Sequence, residues 1–153
     1  MILKTEKVRK EWTDYNGHMN VAYYIHIFDI SADVMLDIFN MAGESARKYM
    51  KSTFVVESHT TYNQEVKLGD EVEVHLTFLD HDKKRIQYKV AMFHKEKKYL
   101  AATTEVLSLY VDLKKRKTTE FEQEKIKIMD DFIKKNSSKF VLNNLVFSNK
   151  LKK

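Results

Sequence analysis

From Asn20 onward apolar residues recur at helical spacing: Val21, Ala22, Tyr24, Ile25, Phe28, Ile30, Met35, Leu36, Ile38 and Phe39. Between them His26, Asp29, Asp33, Asp37 and Asn40 form one narrow polar stripe. A helix apolar over so much of its circumference is expected to be wrapped by other structure. At about 1.5 Å per residue, its roughly twenty residues span about 30 Å. Gly43 stands just past the run, where a C-terminal cap belongs. A short second helix fits Glu44 to Met50. Ahead of the long helix, residues 2–11 read as a first strand and Trp12 to His18 as a loop.

Beyond residue 52 the period changes to two. Residues 53–66 form a strand and Val66 to Asp70 a turn. Val72, Val74, Leu76 and Phe78 alternate with Glu71, Glu73, His75 and Thr77. After the charged turn Asp80 to Lys84, Ile86, Tyr88, Val90 and Met92 alternate with Gln87, Lys89 and Ala91. A second charged turn, His94 to Lys98, precedes a long final strand, Tyr99 to Val111. Turns this short predict antiparallel neighbours. Residues 119–135 return to a helical pattern. The chain has no proline and three glycines, so each glycine marks a boundary. The predicted architecture is α+β: a curved antiparallel sheet of about five strands wrapped around a long central helix. The expected organisation is one domain over 1–118, a C-terminal helix over 119–135 packed on it, and a basic tail over 136–153.

Composition narrows the functional classes. The 153 residues contain no cysteine, which excludes disulfides, thiolate metal ligands and a cysteine nucleophile. That absence fits a reducing compartment. Residues 1–11 lack an apolar signal core, and three aspartates interrupt the most apolar stretch, Val21 to Met41. The expectation is a cytoplasmic protein with no membrane segment. The net charge of +5 is local: residues 134–153 carry six lysines and no acid, leaving 21 basic and 22 acidic side chains in 1–133. A nucleic-acid reader would carry its positive face on the folded body. The tail is expected to be a solvated charge run, and no nucleic-acid partner is expected.

The chemistry concentrates in Asp14-Tyr15-Asn16-Gly17-His18-Met19-Asn20, between the first strand and the helix. There the helix start offers unpaired N–H groups and the positive end of its dipole. Such donors suit the oxyanion of acyl transfer. Gly17 permits close backbone approach. Asp14 has the chemistry of a general base for water or of a nucleophile forming a mixed anhydride, and spacing does not separate these. By spacing alone a simple capping loop fits equally, with Asn16 or Asn20 as the cap. His18 reads either as a site residue or as a loop histidine bonding backbone. No serine elbow, His-Glu-x-x-His or phosphate-binding glycine loop occurs, and no metal or cofactor is expected.

The segment resembles the Asp-x-x-Gly-His-x-Asn motif of the hotdog-fold acyl-CoA thioesterases, the 4-hydroxybenzoyl-CoA thioesterase-like group. Asp14 falls on that family's catalytic aspartate, Gly17 on its glycine and Asn20 on its helix-start asparagine. The likeness extends over roughly residues 3–115, through Gly69-Asp70 and the strand ending Tyr110-Val-Asp112. Trp12 to Tyr24, Val56-Glu-Ser-His59, Tyr62, Glu65-Val-Lys67 and Phe93-His94 are similar to betainyl-CoA thioesterases, which occur alone or fused to carnitine dehydrogenase. The last twenty residues and the lack of proline depart from that pattern. The resemblance implies a hotdog fold, hydrolysis of a small acyl-CoA with coenzyme A as part of the substrate, and assembly into a homodimer or homotetramer.

A betainyl group would need aromatic faces around its quaternary nitrogen. Trp12, Tyr15, Tyr23, Tyr24 and Tyr62 are the candidates, although tyrosines also fill amphipathic core edges. Glu57 and His59 are expected on one face of the second strand with Val55, Thr61 and Asn63. Such a face is usually solvated; in hotdog dimers it meets the partner's helix start, which makes both residues candidates for orienting water or substrate. Lys83-Lys-Arg85 and Lys114-Lys-Arg-Lys117 are candidate contacts for the coenzyme A phosphates, or plain solvated turns. The competing reading is a non-catalytic hotdog module that binds acyl-CoA or an acyl carrier without turnover.

Overall fold

The computed structural model describes residues 1–142 and 144–153. In chain order the elements are β1 (Ile2–Lys7), α1 (Val21–Ile38), α2 (Gly43–Tyr49), β2 (Lys51–Tyr62), β3 (Glu71–His81), β4 (Arg85–His94), β5 (Leu100–Asp112), β6 (Lys117–Thr118) and α3 (Gln123–Asn136). All strands belong to one antiparallel sheet of order β1-β3-β4-β5-β2, with the two residues of β6 paired to the end of β5. Register slips at Val55/Glu57 and Leu76/Phe78 mark bulges, which bend the strands that carry them. The sheet has six strands rather than about five because β6 adds one short pairing.

Two expectations about the layout are corrected. β2 ends at Tyr62 rather than at residue 66, and Val66 to Asp70, expected as a turn between neighbouring strands, forms the end of a longer connection, 63–70. It is a crossover: β2 pairs with β5, and β3 lies between β1 and β4. Three strand spacings need only about 14 Å, well within the reach of such a segment at about 3.3 Å per residue. The crossover is fastened to the N-terminal segment instead. Val8 N–H donates to Asp70 O at 2.8 Å, Gly69 N–H to Val8 O at 2.9 Å and Met19 N–H to Val66 O at 2.8 Å. Gly69, at φ +86°, makes the tight bend.

The second correction concerns α1. It has 18 residues and is not wrapped on all sides by its own chain. Tyr24, Ile27, Phe28, Ser31, Ala32 and Met35 face the sheet, whereas Val21, Ile25, Val34 and Ile38 are exposed. Its C-terminus is closed by Asn40, not by Gly43. Asn40 takes a left-handed φ of 56° while Met41 N–H reaches back to Leu36 O at 2.9 Å and Asn40 N–H to Asp37 O at 3.1 Å. Gly43 opens α2.

The basic tail is docked on the domain, although its lysines stay exposed. It crosses the outer face of the sheet, the face away from α1. Phe140 packs on Phe78, and Val141 N–H donates to Thr77 O at 2.8 Å. Val146 and Phe147 N–H both donate to the Glu105 carboxylate, at 2.6 and 2.8 Å. Lys150 pairs with Glu57 at 3.1 Å and Lys153 with Asp80 at 2.6 Å. Glu105 is 1% exposed and also takes the Gln87 amide at 2.8 Å. The lysines that look unopposed in sequence therefore meet acids from β2 and β3. Helix α3 packs through buried Met129 and through Phe132, whose ring meets Phe39 edge-on at 5.3 Å.

Candidate active site

The loop from Trp12 to Asn20 is held as a closed turn ahead of α1. Asn20 N–H donates to Trp12 O at 2.8 Å, and Thr13 and Met19 pair across the loop. Gly17 takes φ +79° and donates its N–H to Asp14 O at 3.0 Å, which reverses the chain at the motif. Asn20 then caps the helix. Its side-chain oxygen accepts from Ala22 N–H at 3.0 Å.

The same asparagine holds Asp14. Its amide donates to one Asp14 oxygen at 2.9 Å, while Asn16 N–H donates to the other at 2.9 Å. Both bonds favour the ionised carboxylate. The Asn16 N–H first and the Asn20 amide second hold Asp14 below the usual carboxylate value, with a smaller contribution from nearby His18. The carboxylate thus stays charged and aimed. His18 donates from Nδ1 to Met19 O at 3.0 Å, and its Nε2 has no partner among the described residues. Val21 N–H, the first helical donor, has no acceptor among the described residues.

Beside the motif lies a groove of about 330 Å³ lined by His18, Met19, Val21, Tyr24, Tyr62 and Glu65. Tyr24 is buried, accepts from Val66 N–H at 3.3 Å and meets Tyr62 edge-on at 5.4 Å. The bond to Val66 fixes the Tyr24 ring against the crossover. Glu65 is paired with Lys67 at 3.0 Å.

The aromatic residues singled out in the sequence divide into separate groups. Trp12 is buried and stacks on Tyr23 at 5.7 Å, with His26 edge-on at 6.1 Å. The Arg9 guanidinium sits 4.7 Å from the Trp12 ring centre. Trp12 and Tyr23 thus sit in a stack of their own beside Arg9, apart from the groove lined by Tyr24 and Tyr62. Tyr15 is 97% exposed at the turn. On β2 the bulge at Val56 changes which residues share a face. Val55, Ser58 and Tyr62 face α1, whereas Glu57, His59 and Thr61 face outward. Val55 is therefore separated from the Glu57–His59 face it was expected to share.

Among the basic clusters, Arg85 is bound to Asp82 at 2.8 Å, and Lys114 and Lys115 lie on the exposed β5–β6 turn. No group of three or more metal-ligating side chains occurs among the described residues, and no helix there is long and apolar enough to cross a membrane. Spacing did not reveal that Asn20 serves both the helix and Asp14, nor that Val21 N–H is left over. Only the fold of the loop joins them.

The fold that carries this clamped carboxylate and its groove has known relatives. Residues 8–135 match the thioesterase-like superfamily, and the chain belongs to it. It is a thioester hydrolase. It is 32% identical over 117 residues to the betainyl-CoA thioesterase of Pseudomonas aeruginosa, covering 76% of this chain and 74% of that one. Among solved structures, a Pseudomonas putida protein described as a thioesterase superposes with TM-score 0.82 at 27% identity, covering 100% of this chain and 97% of that one. A Staphylococcus aureus protein solved with CoA superposes with TM-score 0.83 at 24% identity, covering 95% and 89%.

Proposed function

We propose that the protein hydrolyses a small acyl-CoA, with betainyl-CoA the leading candidate, to the free acid and CoA, and that Asp14 is the catalytic carboxylate. The observation that carries this reading is the double clamp on Asp14 by Asn16 N–H and the Asn20 amide. A carboxylate held ionised and oriented is suited either to deprotonate water or to attack the carbonyl carbon directly. In the first route water adds to the carbonyl as its proton passes to Asp14, and the tetrahedral intermediate then breaks its C–S bond, with the proton leaving on the CoA thiol. In the second the Asp14 oxygen displaces the CoA thiolate, and water then hydrolyses the anhydride. Either way negative charge develops on the carbonyl oxygen, and the Val21 N–H at the helix start is the donor placed to meet it. Gly17 keeps the approach open, and His18 borders the groove.

Tyr24 and Tyr62 are assigned to contacts with the thioester end of the substrate because they line that groove. Trp12 and Tyr23 support the helix start from behind. Tyr15, Glu57 and His59 are assigned to contacts made on assembly. The exposed apolar positions of α1 and the exposed edge strand β2, with Phe54, Val55 and Val56, support a homodimer or a homotetramer. The lack of cysteine fits a cytoplasmic enzyme. The hotdog arrangement with α1 as its central helix is completed in that assembly, where a second copy covers the face its own sheet leaves open.

The test is free-thiol release from a panel of acyl-CoA esters by wild type and Asp14→Asn. Turnover is expected to fall by about a hundredfold or more, the scale of a lost general base. A near-normal rate in Asp14→Asn overturns the assignment.

A further inference from the structure

A second cavity, of about 80 Å³, lies between α1 and β2, lined by Ile25, Phe28, Asp29, Val55, Ser58, Tyr88, Thr104 and Val106. Val21, Ile25 and Asp29 are spaced one helical turn apart, so one stripe of α1 runs from the groove at the motif to this cavity. Its walls combine three kinds of chemistry. Ile25, Phe28, Val55 and Val106 are apolar. Tyr88 is only 6% exposed, and its hydroxyl has no hydrogen-bond partner among the described residues. Asp29 is an acid with no salt-bridge partner among the described residues, and Asp33 and Asp37 follow it along the helix. Burial first, then the charges of Asp29 and Asp33, push the Tyr88 phenol up, which puts both carboxylates within electrostatic reach of the ring. Partial burial and the neighbouring Asp29 and Asp37 likewise raise Asp33, with Lys4 acting in the opposite direction.

Alternative occupants fit less well. An anion is repelled by Asp29. A plain alkyl chain offers the carboxylate no countercharge. A hard, strongly hydrated cation gains nothing from the apolar walls. A quaternary ammonium matches the apolar walls, the ring and the acid together: its methyl groups pack on apolar side chains and its charge meets the aromatic ring and the carboxylate. A water needs about 10–15 Å³ of such space, so the cavity has room for a group of about five heavy atoms. We propose that this cavity is the acyl-group subsite, and that Asp29 and Tyr88 select acyl chains carrying a quaternary ammonium.

The proposal rests on the thioesterase reading, and the test keeps the two separable. Betainyl-CoA and trimethylammoniobutyryl-CoA are each compared with the uncharged ester in which a tert-butyl carbon replaces the quaternary nitrogen. Two spacings are used because Asp29 lies about 13 Å along α1 from Asn20. The readout is the ratio of kcat/KM, charged over uncharged, at the better-used spacing. In parallel, calorimetry measures the same ratio of affinities on the Asp14→Asn background, which needs no turnover. The ratio is expected to exceed one, to fall about tenfold in Asp29→Asn and about threefold in Tyr88→Phe, and to stay at its starting value in Asp37→Asn. Asp29 is exposed and Asn has its shape, so the variant keeps the fold. A ratio at or below one, or one that survives Asp29→Asn, overturns the proposal. If wild type releases no thiol from any ester, the thioesterase reading fails, while the affinity ratio still decides the subsite.

Discussion

The two faces of the sheet are finished in opposite ways. On the outer face the chain closes on itself: the tail lies across β3, β4 and β5, and buried Glu105 receives two tail N–H groups and the Gln87 amide. On the inner face α1 covers the sheet with one side only, and a groove and a cavity remain between it and β2. The outer face spends its polar groups on one another. The inner face leaves Val21 N–H, Tyr88 hydroxyl and Asp29 carboxylate without partners among the described residues. Groups with no protein partner beside open space are free to meet a ligand, whereas a network closed on itself only holds structure.

The comparison can be broken at either face. The largest expected effect is at the inner one, where Asp14→Asn reduces turnover by about a hundredfold or more with little change in melting, as read by thiol release beside a thermal melt. Next comes Glu105→Ala on the outer face. It leaves the Gln87 amide and two N–H groups without their acceptor, at a cost of about 3 kcal/mol in a denaturant melt, while activity stays within about twofold. Activity that collapses with Glu105 in protein that remains folded would mean that the two faces are not independent.

Asn20→Ala sits between the two classes, because one side chain serves both helix and carboxylate. Loss of the cap is expected to cost about 1 kcal/mol. The same change removes one of the two bonds that hold the Asp14 pKa down. A depressed carboxylate pKa contributes stability above its unfolded value and loses it as pH falls through the folded one. In Asn20→Ala the acid limb of kcat/KM therefore moves to higher pH. It moves only part of the way, since the Asn16 N–H contributes most to the shift and remains. An unmoved limb would show that another group sets it. The smallest effect is expected for Lys150→Ala, whose exposed pair with Glu57 is worth less than about 1 kcal/mol and weakens in salt.

Much of the fold was legible because local pattern and final burial agree. The alternation in β3 and β4 survives in the buried Val72, Val74 and Leu76, and in Ile86, Tyr88, Val90 and Met92. The helix start was legible from Asn20, and the Asp14–Asn20 segment from its residue types. Strand order was not, because a short connection suggests a hairpin while an eight-residue segment also reaches across a sheet. The face of Glu57 was not legible either. The bulge at Val56 flips the alternation, and nothing in the residue types announces it.

The sequence by itself determined the elements, the absence of thiol and proline chemistry, and the cluster of polar residues ahead of the first helix. Periodicity, composition and capping are local properties and can be read locally. Tertiary structure alone decided that Trp12 packs behind the helix start while Tyr62 reaches the groove. It also brought the lysine tail onto Glu57 and Asp80, and set Asp29 and Tyr88 at one cavity. Those outcomes depend on which strands pair and where a register slips, and each is settled by contacts between residues far apart in the chain.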